Sequence, residues 1–295
     1  MNKKFRWAAI LILIFLISWG IGQRFDPQNV KAKIIRAGDI NIAYKEFGRG
    51  EPLIMIMGYS ATMDLWSPRV IRALAAHYRV IIFDNRGMGL TSASDKEFSI
   101  ELFADDTARL MDALGIKRAH VLGYSMGTGI AQELVLRYPQ KVSKLILYAA
   151  DCGGKEGINP TPETLHQLTD TTCSPQERAD RLIKLILPEE WLKKHPDLQN
   201  YLPFPKEPIS NENINRQTKA MLGWNGAFSR LAQIKQQTLL IAGTEDVLTP
   251  PENSLLMVQH IPRVWLIQIK GGGHGLMYQW PDRFSKCLLV FLEGQ

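Results

Sequence analysis

The stretch RAHVLGYSMGTGIAQELVLRYP, residues 118–139, decides the fold. It begins with an apolar run that is typical of a buried strand and continues with the pattern of a helix. Gly123, Ser125 and Gly127 lie at the junction and give GYSMG, a match to the GxSxG pattern. A serine at such a strand-to-helix turn projects its hydroxyl, and the flanking glycines remove side chains that would collide there. We therefore predict that Ser125 is a nucleophile.

Strands and helices alternate along the chain on both sides of this stretch. IIRAGDINIAYKEFG has a period of two, which predicts a hairpin that turns at Gly38 and Asp39. Further buried strands are predicted from the continuous apolar runs PLIMIMG (52–58), RVIIFDN (79–85), KLILYAA (144–150), TLLIAG (238–243) and VWLIQI (264–269). Because helical patterns separate most of these runs, we expect an α/β fold with a mainly parallel, doubly wound sheet.

One interval interrupts this alternation. No buried strand is predicted between about Gly153 and Trp224, where eight of the sixteen prolines lie. ERADRLIKLIL and EEWLKKH in this interval have helical periodicity, so we predict a helical cap over the sheet. The predicted organisation is a signal peptide or membrane anchor (1–29), a first part of the core (30–152), the cap (153–225) and a second part of the core (226–295).

A serine nucleophile requires a base, and a further group that holds this base in the correct tautomer. His274 lies in the glycine-rich loop GGGHGLM directly after VWLIQI, where a tight turn can return its imidazole to the serine. Asp246 follows TLLIAG and completes the chain order Ser, Asp, His. Asp151, which ends KLILYAAD, is the alternative acid. We predict Ser125, Asp246 and His274 as the catalytic residues.

Stabilising a tetrahedral intermediate requires two backbone amides, one after the nucleophile and one in an earlier strand-ending loop. Met126 follows Ser125, and Gly58 lets the backbone turn so that the Tyr59 amide faces the same pocket. We predict the amides of Tyr59 and Met126 as the oxyanion hole, with the Ser60 amide as a less favoured substitute for Tyr59.

These residues resemble the α/β-hydrolase superfamily, in particular its capped esterase, lactonase and carbon–carbon hydrolase group, over roughly residues 34–294. DNRGMGLTS, residues 84–92, is similar to the DxRGxGxS segment of that group, and GTEDVLTP is similar to its acid loop. The predicted cap position, between the sixth and seventh core strands, also agrees. One departure is Met57, because many members have His-Gly after the third strand. It leaves the backbone oxyanion role intact and puts a histidine-assisted contact there in doubt.

The resemblance implies a serine hydrolase that needs no metal and no organic cofactor. Ser125 is expected to form an acyl-enzyme with a carboxylic ester, and His274 to protonate the leaving alcohol and then activate water. Haloalkane dehalogenases of similar layout have an aspartate as nucleophile, so Ser125 argues against halide displacement.

The expected substrate is a small to medium, moderately apolar ester or lactone. We predict Trp66, Trp191, Trp224 and Met277 as substrate-pocket residues, because they lie near catalytic motifs in the sequence or in the cap. Carbon–carbon bond hydrolysis and perhydrolysis use the same triad and stay open. A ligand-binding protein with little turnover and a purely structural domain are the alternatives outside enzymology, and the complete triad disfavours both.

The N-terminus has the features of a targeting signal. Basic residues precede WAAILILIFLISWGIG, residues 7–22, which contains no charged residue. This pattern predicts export, with the rest of the chain outside the cytoplasm, in the periplasm or secreted. Gly20 and Gly22 offer a small-x-small cleavage site, whereas an uncleaved run would anchor the chain to the membrane.

Composition argues against two other classes. The net charge of +6 includes basic residues ahead of the apolar run, and no later block of Lys and Arg alternates with aromatics, so nucleic-acid binding has no support. The three cysteines exclude a disulfide framework, and a Cys152–Cys173 bond or free thiols stay open. The Cys and His residues have no spacing that predicts a zinc site.

Overall fold

A computed structural model describes residues 26–207 and 209–294. Its centre is an eight-stranded sheet with the order β1-β2-β4-β3-β5-β6-β7-β8. The strands are β1 (Lys33–Ala37), β2 (Ile40–Phe47), β3 (Pro52–Ile56), β4 (Arg79–Phe83), β5 (Ala119–Tyr124), β6 (Val142–Tyr148), β7 (Gln237–Gly243) and β8 (Val264–Ile269). β2 runs antiparallel to β1 and β4, and the other neighbours are parallel. The predicted α/β fold with a mainly parallel sheet is confirmed.

Helices cover both faces of this sheet. They are α1 (Pro68–Ala75), α2 (Ile100–Ala113), α3 (Met126–Arg137), α4 (Pro162–Thr169), α5 (Pro175–Ile186), α6 (Glu189–Lys194), α7 (Asn211–Leu222), α8 (Glu252–Val258), α9 (Leu276–Gln279) and α10 (Pro281–Glu293). Alternate strand residues point to opposite faces, so Ile54 and Ile56 enter one apolar cluster while Leu53 and Met55 enter another. The first cluster packs under α2 and α3, and the second under α1 and α10.

The predicted strand VWLIQI is β8, but it is not covered on both faces as expected. It pairs with β7 alone among the described strands and forms one edge of the sheet. Trp265 in its middle is 50% exposed. A continuous apolar run therefore marks this strand correctly and does not distinguish an edge position from a central one.

Helices α4 to α7 lie between β6 and β7, where the cap is predicted. Of these, α7 is docked on the core: the Asn213 side-chain amide donates to the Gly87 carbonyl at 2.9 Å. The Arg216 guanidinium lies 3.9 Å from the centre of the Phe98 ring. In contrast, α4 has no buried residue. The domain boundaries stay a prediction.

Two other predictions concern the cysteines and the N-terminus. Cys152, Cys173 and Cys287 are all free, so the open Cys152–Cys173 pairing is not formed. No helix in the described ranges is long and apolar enough to cross a membrane. The predicted anchor, residues 7–22, lies outside those ranges.

The DNRGMGLTS segment after β4 is built around two buried charged side chains. Asp84 accepts hydrogen bonds from the Met63 amide at 2.7 Å and the Leu90 amide at 3.1 Å. Arg86 donates to Asp106 at 2.7 Å and 2.6 Å. Gly89 has a φ of 49°, and a Cβ there would lie 2.3 Å from an Asp84 carboxylate oxygen. The glycine is required because the carboxylate fills this space.

Burial raises the pKa of the Asp84 carboxyl to about 6, so this group opposes folding when ionised. Its folded pKa exceeds its unfolded value, and the native state therefore binds more protons between about pH 4 and pH 6. The free energy of unfolding of the protein minus that of Asp84→Asn should fall by up to about 3 kcal/mol as pH rises through this window. Urea titrations of both proteins from pH 4 to pH 7.5 measure this difference, and a constant or rising difference would contradict it.

Candidate active site

Ser125 lies at the turn between β5 and α3, at the carboxyl end of the sheet. Its backbone has φ 55° and ψ −125°, which L-residues rarely adopt. Its amide donates to the Tyr148 carbonyl at 3.0 Å and so ties the turn to β6. Thr128 Oγ1, in the first turn of α3, donates to the Ser125 carbonyl at 2.7 Å. These contacts hold the backbone in the strained conformation that projects the hydroxyl.

The glycines around Ser125 allow backbone segments to approach one another directly. A Cβ on Gly123 would lie 2.3 Å from the Gly127 carbonyl oxygen, and a Cβ on Gly127 would lie 2.3 Å from the Ile56 carbonyl oxygen. A Cβ on Gly58 would lie 3.1 Å from Ser125 Cβ. The start of α3 thus packs on the end of β3 with no side chain between them.

His274 and Asp246 are brought together from the loops after β8 and β7. His274 Nδ1 lies 2.8 Å and 3.0 Å from the two carboxylate oxygens of Asp246, and both side chains are buried. The carboxylate also accepts the amides of Leu248 and Thr249, each at 2.9 Å, and the Thr249 hydroxyl at 2.8 Å. Because Nδ1 is bound to Asp246, Nε2 is the nitrogen that can accept a proton.

The imidazole lies beside the serine turn. The ring centres of His274 and Tyr124 are 5.1 Å apart, and Tyr124 directly precedes Ser125. The Tyr148 hydroxyl donates to the His274 carbonyl, which fixes the glycine-rich loop on β6. The His274–Asp246 pair therefore lies beside the turn that carries Ser125.

Asp151, the alternative acid, lies in the same region with a different set of partners. Its carboxylate accepts the Gly153 amide at 2.8 Å, and it forms no hydrogen bond to His274. Burial raises the pKa of the Asp151 carboxyl, and the nearby His274 opposes this effect. The geometry favours Asp246 as the acid that orients His274.

The amides predicted for the oxyanion hole belong to Tyr59, in the loop after β3, and to Met126, the first residue of α3. Within the described ranges, neither the Tyr59 nor the Met126 amide donates a hydrogen bond to another residue. The Ser60 amide, in contrast, donates to Gln217 Oε1 at 2.6 Å. This leaves Tyr59 and Met126 free to bind an oxyanion. Met57, at the position of the family's histidine, is buried, and its carbonyl accepts from Asn85 at 2.9 Å.

A cavity of about 830 Å³ opens at Ser125, and Asp151 and Thr249 also line it. Of the predicted pocket residues, Trp224 lines this cavity. The prediction is wrong for Trp66, Trp191 and Met277, which are not among the lining residues. All three belong to the apolar cluster under α1 and α10, whereas Trp224 belongs to the cluster on the opposite face. Proximity in the sequence does not determine the face on which a side chain packs.

Several apolar residues of the cavity wall were not predicted. They are Leu165, Leu168, Met221, Phe228 and Leu248. Leu165 and Leu168 are three residues apart on α4, so they share one helix face. In the sequence, this spacing is the signal that could have identified α4 as a wall of the cavity.

Comparison with known proteins identifies the scaffold. A family model described as the alpha/beta hydrolase fold matches residues 51–280. RutD of Azorhizobium caulinodans, whose name assigns it carbamate hydrolysis, is 28% identical over 260 residues, which are 86% of this chain and 96% of that protein.

Solved structures share the fold at lower identity. A thermophilic esterase from Thermogutta terrifontis has a TM-score of 0.78 and 22% identity, and the match covers 90% of this chain and 98% of the esterase. A bacterial virulence factor described as a membrane phospholipase A has a TM-score of 0.67 and 22% identity, over 99% of both chains. At these identities the likeness shows a shared fold, as the resemblance implied.

Replacing each candidate acid by its amide tests the geometry. Asp246→Asn should lower the rate of Ser125 labelling by a fluorophosphonate by about 10³- to 10⁴-fold, because an amide no longer holds His274 in the tautomer that accepts the serine proton. Asp151→Asn is the matched control and should have a much smaller effect, since its carboxylate binds Gly153. Intact-mass spectrometry over time measures both rates. A larger loss in Asp151→Asn would reverse the assignment.

Proposed function

This chain belongs to the alpha/beta hydrolase fold family, and we propose that within it the chain is a serine hydrolase that cleaves carboxylic esters through an acyl-enzyme on Ser125. The observation that carries the proposal is the buried His274–Asp246 pair beside a serine in a strained strand-to-helix turn. This arrangement activates a hydroxyl that is otherwise a poor nucleophile.

The reaction follows from the positions of these groups. Ser125 Oγ attacks the ester carbonyl while its proton passes to His274 Nε2, and the amides of Tyr59 and Met126 stabilise the resulting oxyanion. His274 then gives this proton to the leaving alkoxide, and the alcohol departs. Water attacks the acyl-enzyme, gives a proton to His274 and releases the acid, and the proton returns to Ser125.

The cavity supports a moderately apolar substrate. Its wall includes Trp224 from the cap and Leu165 and Leu168 from α4, beside polar groups such as Asp151. A volume of about 830 Å³ accommodates a small to medium ligand. We propose that the acyl chain of the ester lies along the apolar wall, with the scissile carbonyl at Ser125.

Carbamate hydrolysis is the second candidate, and the similarity to RutD favours it. A carbamate presents the same carbonyl to Ser125 and differs in the nitrogen attached to it. The polar groups beside Ser125, among them Asp151, provide partners for such a nitrogen.

Hydrolysis of p-nitrophenyl esters of graded acyl length by the purified full chain tests the proposal. We expect turnover with an optimum chain length, and a loss of at least about 10⁴-fold in Ser125→Ala and after fluorophosphonate treatment. Ser143→Ala is the matched control. Ser143 lies near the start of β6, whereas the Ser125 amide contacts Tyr148 at the end of this strand, so the variant should retain full activity.

The outcomes separate the candidate reactions. A kcat/KM that is higher for a matched p-nitrophenyl carbamate than for the ester would make carbamate hydrolysis the better assignment of the reaction. Labelling of Ser125 without turnover of either would favour carbon–carbon bond hydrolysis, and peracid formation with hydrogen peroxide would indicate perhydrolysis. If Ser125 neither labels nor turns over any ester, a ligand-binding protein becomes the better interpretation.

We also propose that residues 7–22 export the chain and hold it at a membrane. The basic residues before this apolar run support the proposal.

Cell fractionation measures this attachment. The full chain should sediment with membranes, resist extraction by high salt and be released by detergent, because apolar burial holds it there. A chain that begins at Asp26 should stay in the supernatant. Identical distributions of the two chains would contradict the proposal.

A further inference from the structure

The turn that carries the Tyr59 amide is held by side chains of the cap. The Ser60 amide donates to Gln217 Oε1 at 2.6 Å, and Arg178 donates to Ser60 Oγ at 2.9 Å. The Tyr59 hydroxyl lies 2.7 Å from Thr218 Oγ1. Gln217 and Thr218 are on α7, and Arg178 is on α5. Two cap helices thus bind three separate groups of this two-residue turn.

The turn needs this support because its backbone is strained. Ser60 has a φ of 54°, a left-handed conformation that is unfavourable for a residue with a side chain. Such conformations persist where the surrounding structure over-determines them. The contacts to Gln217, Arg178 and Thr218 are the surroundings that do so here.

Gln217 has the environment of a dedicated acceptor. It is completely buried, and its Oε1 receives the Ser60 amide. Its Nε2 is buried without a hydrogen-bond partner among the described residues. A buried donor without a partner is unfavourable. The hydrogen bond that Oε1 accepts from the Ser60 amide is therefore the interaction that accounts for an amide side chain at this position.

Both cap helices are themselves fixed. The Asn213 and Arg216 contacts hold α7 on the core. On α5, Leu185 is buried, and the Ile186 carbonyl accepts the Gly275 amide at 2.7 Å, which ties this helix to the loop after β8. Ser60 is therefore held against side chains that cannot easily move away.

We propose that Gln217 and Arg178 are positioning residues for the oxyanion hole, which orient the Tyr59 amide by holding Ser60 in its left-handed conformation. The inference rests on the proposed function, since it assigns Tyr59 the role of an oxyanion donor. Because the Ser60 amide already donates to Gln217, the Tyr59 amide is the one that donates to the oxyanion. The cap then contributes to catalysis as well as to the substrate cavity.

A pair of substitutions at Gln217 separates this role from general packing. Gln217→Met keeps the approximate shape and removes the acceptor, and it should lower kcat for the best p-nitrophenyl ester on the order of 10²-fold with KM nearly unchanged. Gln217→Glu keeps an acceptor oxygen and should retain most of kcat. Binding of a trifluoromethyl ketone, which forms an oxyanion on Ser125, should weaken in Gln217→Met by the same factor as kcat/KM.

Asn213→Ala loosens the docking of α7 without removing a contact to Ser60, and it should lower kcat by less than Gln217→Met does. An unchanged kcat in Gln217→Met, or an equal loss of kcat in Gln217→Met and Gln217→Glu, would overturn the proposal. If Gln217→Met does not fold, Arg178→Met is the alternative test. It removes the contact to Ser60 Oγ and should also lower kcat. Inactivity of the unsubstituted enzyme would instead count against the proposed function.

Discussion

The close approach of β3, β5 and the start of α3 is the constraint on which the site depends. The Gly127 backbone lies so near the Ile56 carbonyl that a Cβ would have no room, and Gly123 has the same relation to Gly127. This packing forces Ser125 into a conformation that is unfavourable by about 1–3 kcal/mol. The packing of the sheet and its helices stabilises the turn. The serine hydroxyl therefore projects at the end of the sheet where the loops after β7 and β8 supply Asp246 and His274.

Sequence patterns predicted most of this arrangement because its determinants are local. Gly123, Ser125 and Gly127 are contiguous with a strand and a helix, and the structure brings Asp246 and His274 together as their positions after predicted strands suggested. The pocket was predicted less well. Trp66 and Met277 are near catalytic motifs in the chain, but their side chains pack on the face of the sheet away from the cavity. In short segments between the strands, the direction in which a side chain points depends on tertiary packing, which leaves no periodic pattern in the sequence.

The two halves of the site are supported in different ways. Asp246 and the His274 carbonyl are held by groups of the core, namely the Leu248 and Thr249 amides and the Tyr148 hydroxyl, and the cap adds one contact, between the Gly275 amide and the Ile186 carbonyl. The oxyanion side instead depends on side chains of the cap that bind Ser60. No sequence motif marks this second set of contacts, because Gln217 and Ser60 are far apart in the chain and neither is unusual in its local pattern.

This asymmetry limits how the cap can move. If α7 lifted from the core, Ser60 would lose its hydrogen bond to Gln217 and the Tyr59 amide would lose its orientation. Access to the cavity must therefore come from another part of the cap. The structure offers α4, which contributes Leu165 and Leu168 to the cavity wall and has no buried residue. A helix with little buried apolar surface opens at a low free energy. Substrate entry over α4 is thus compatible with an oxyanion hole that stays assembled, whereas entry under α7 is not.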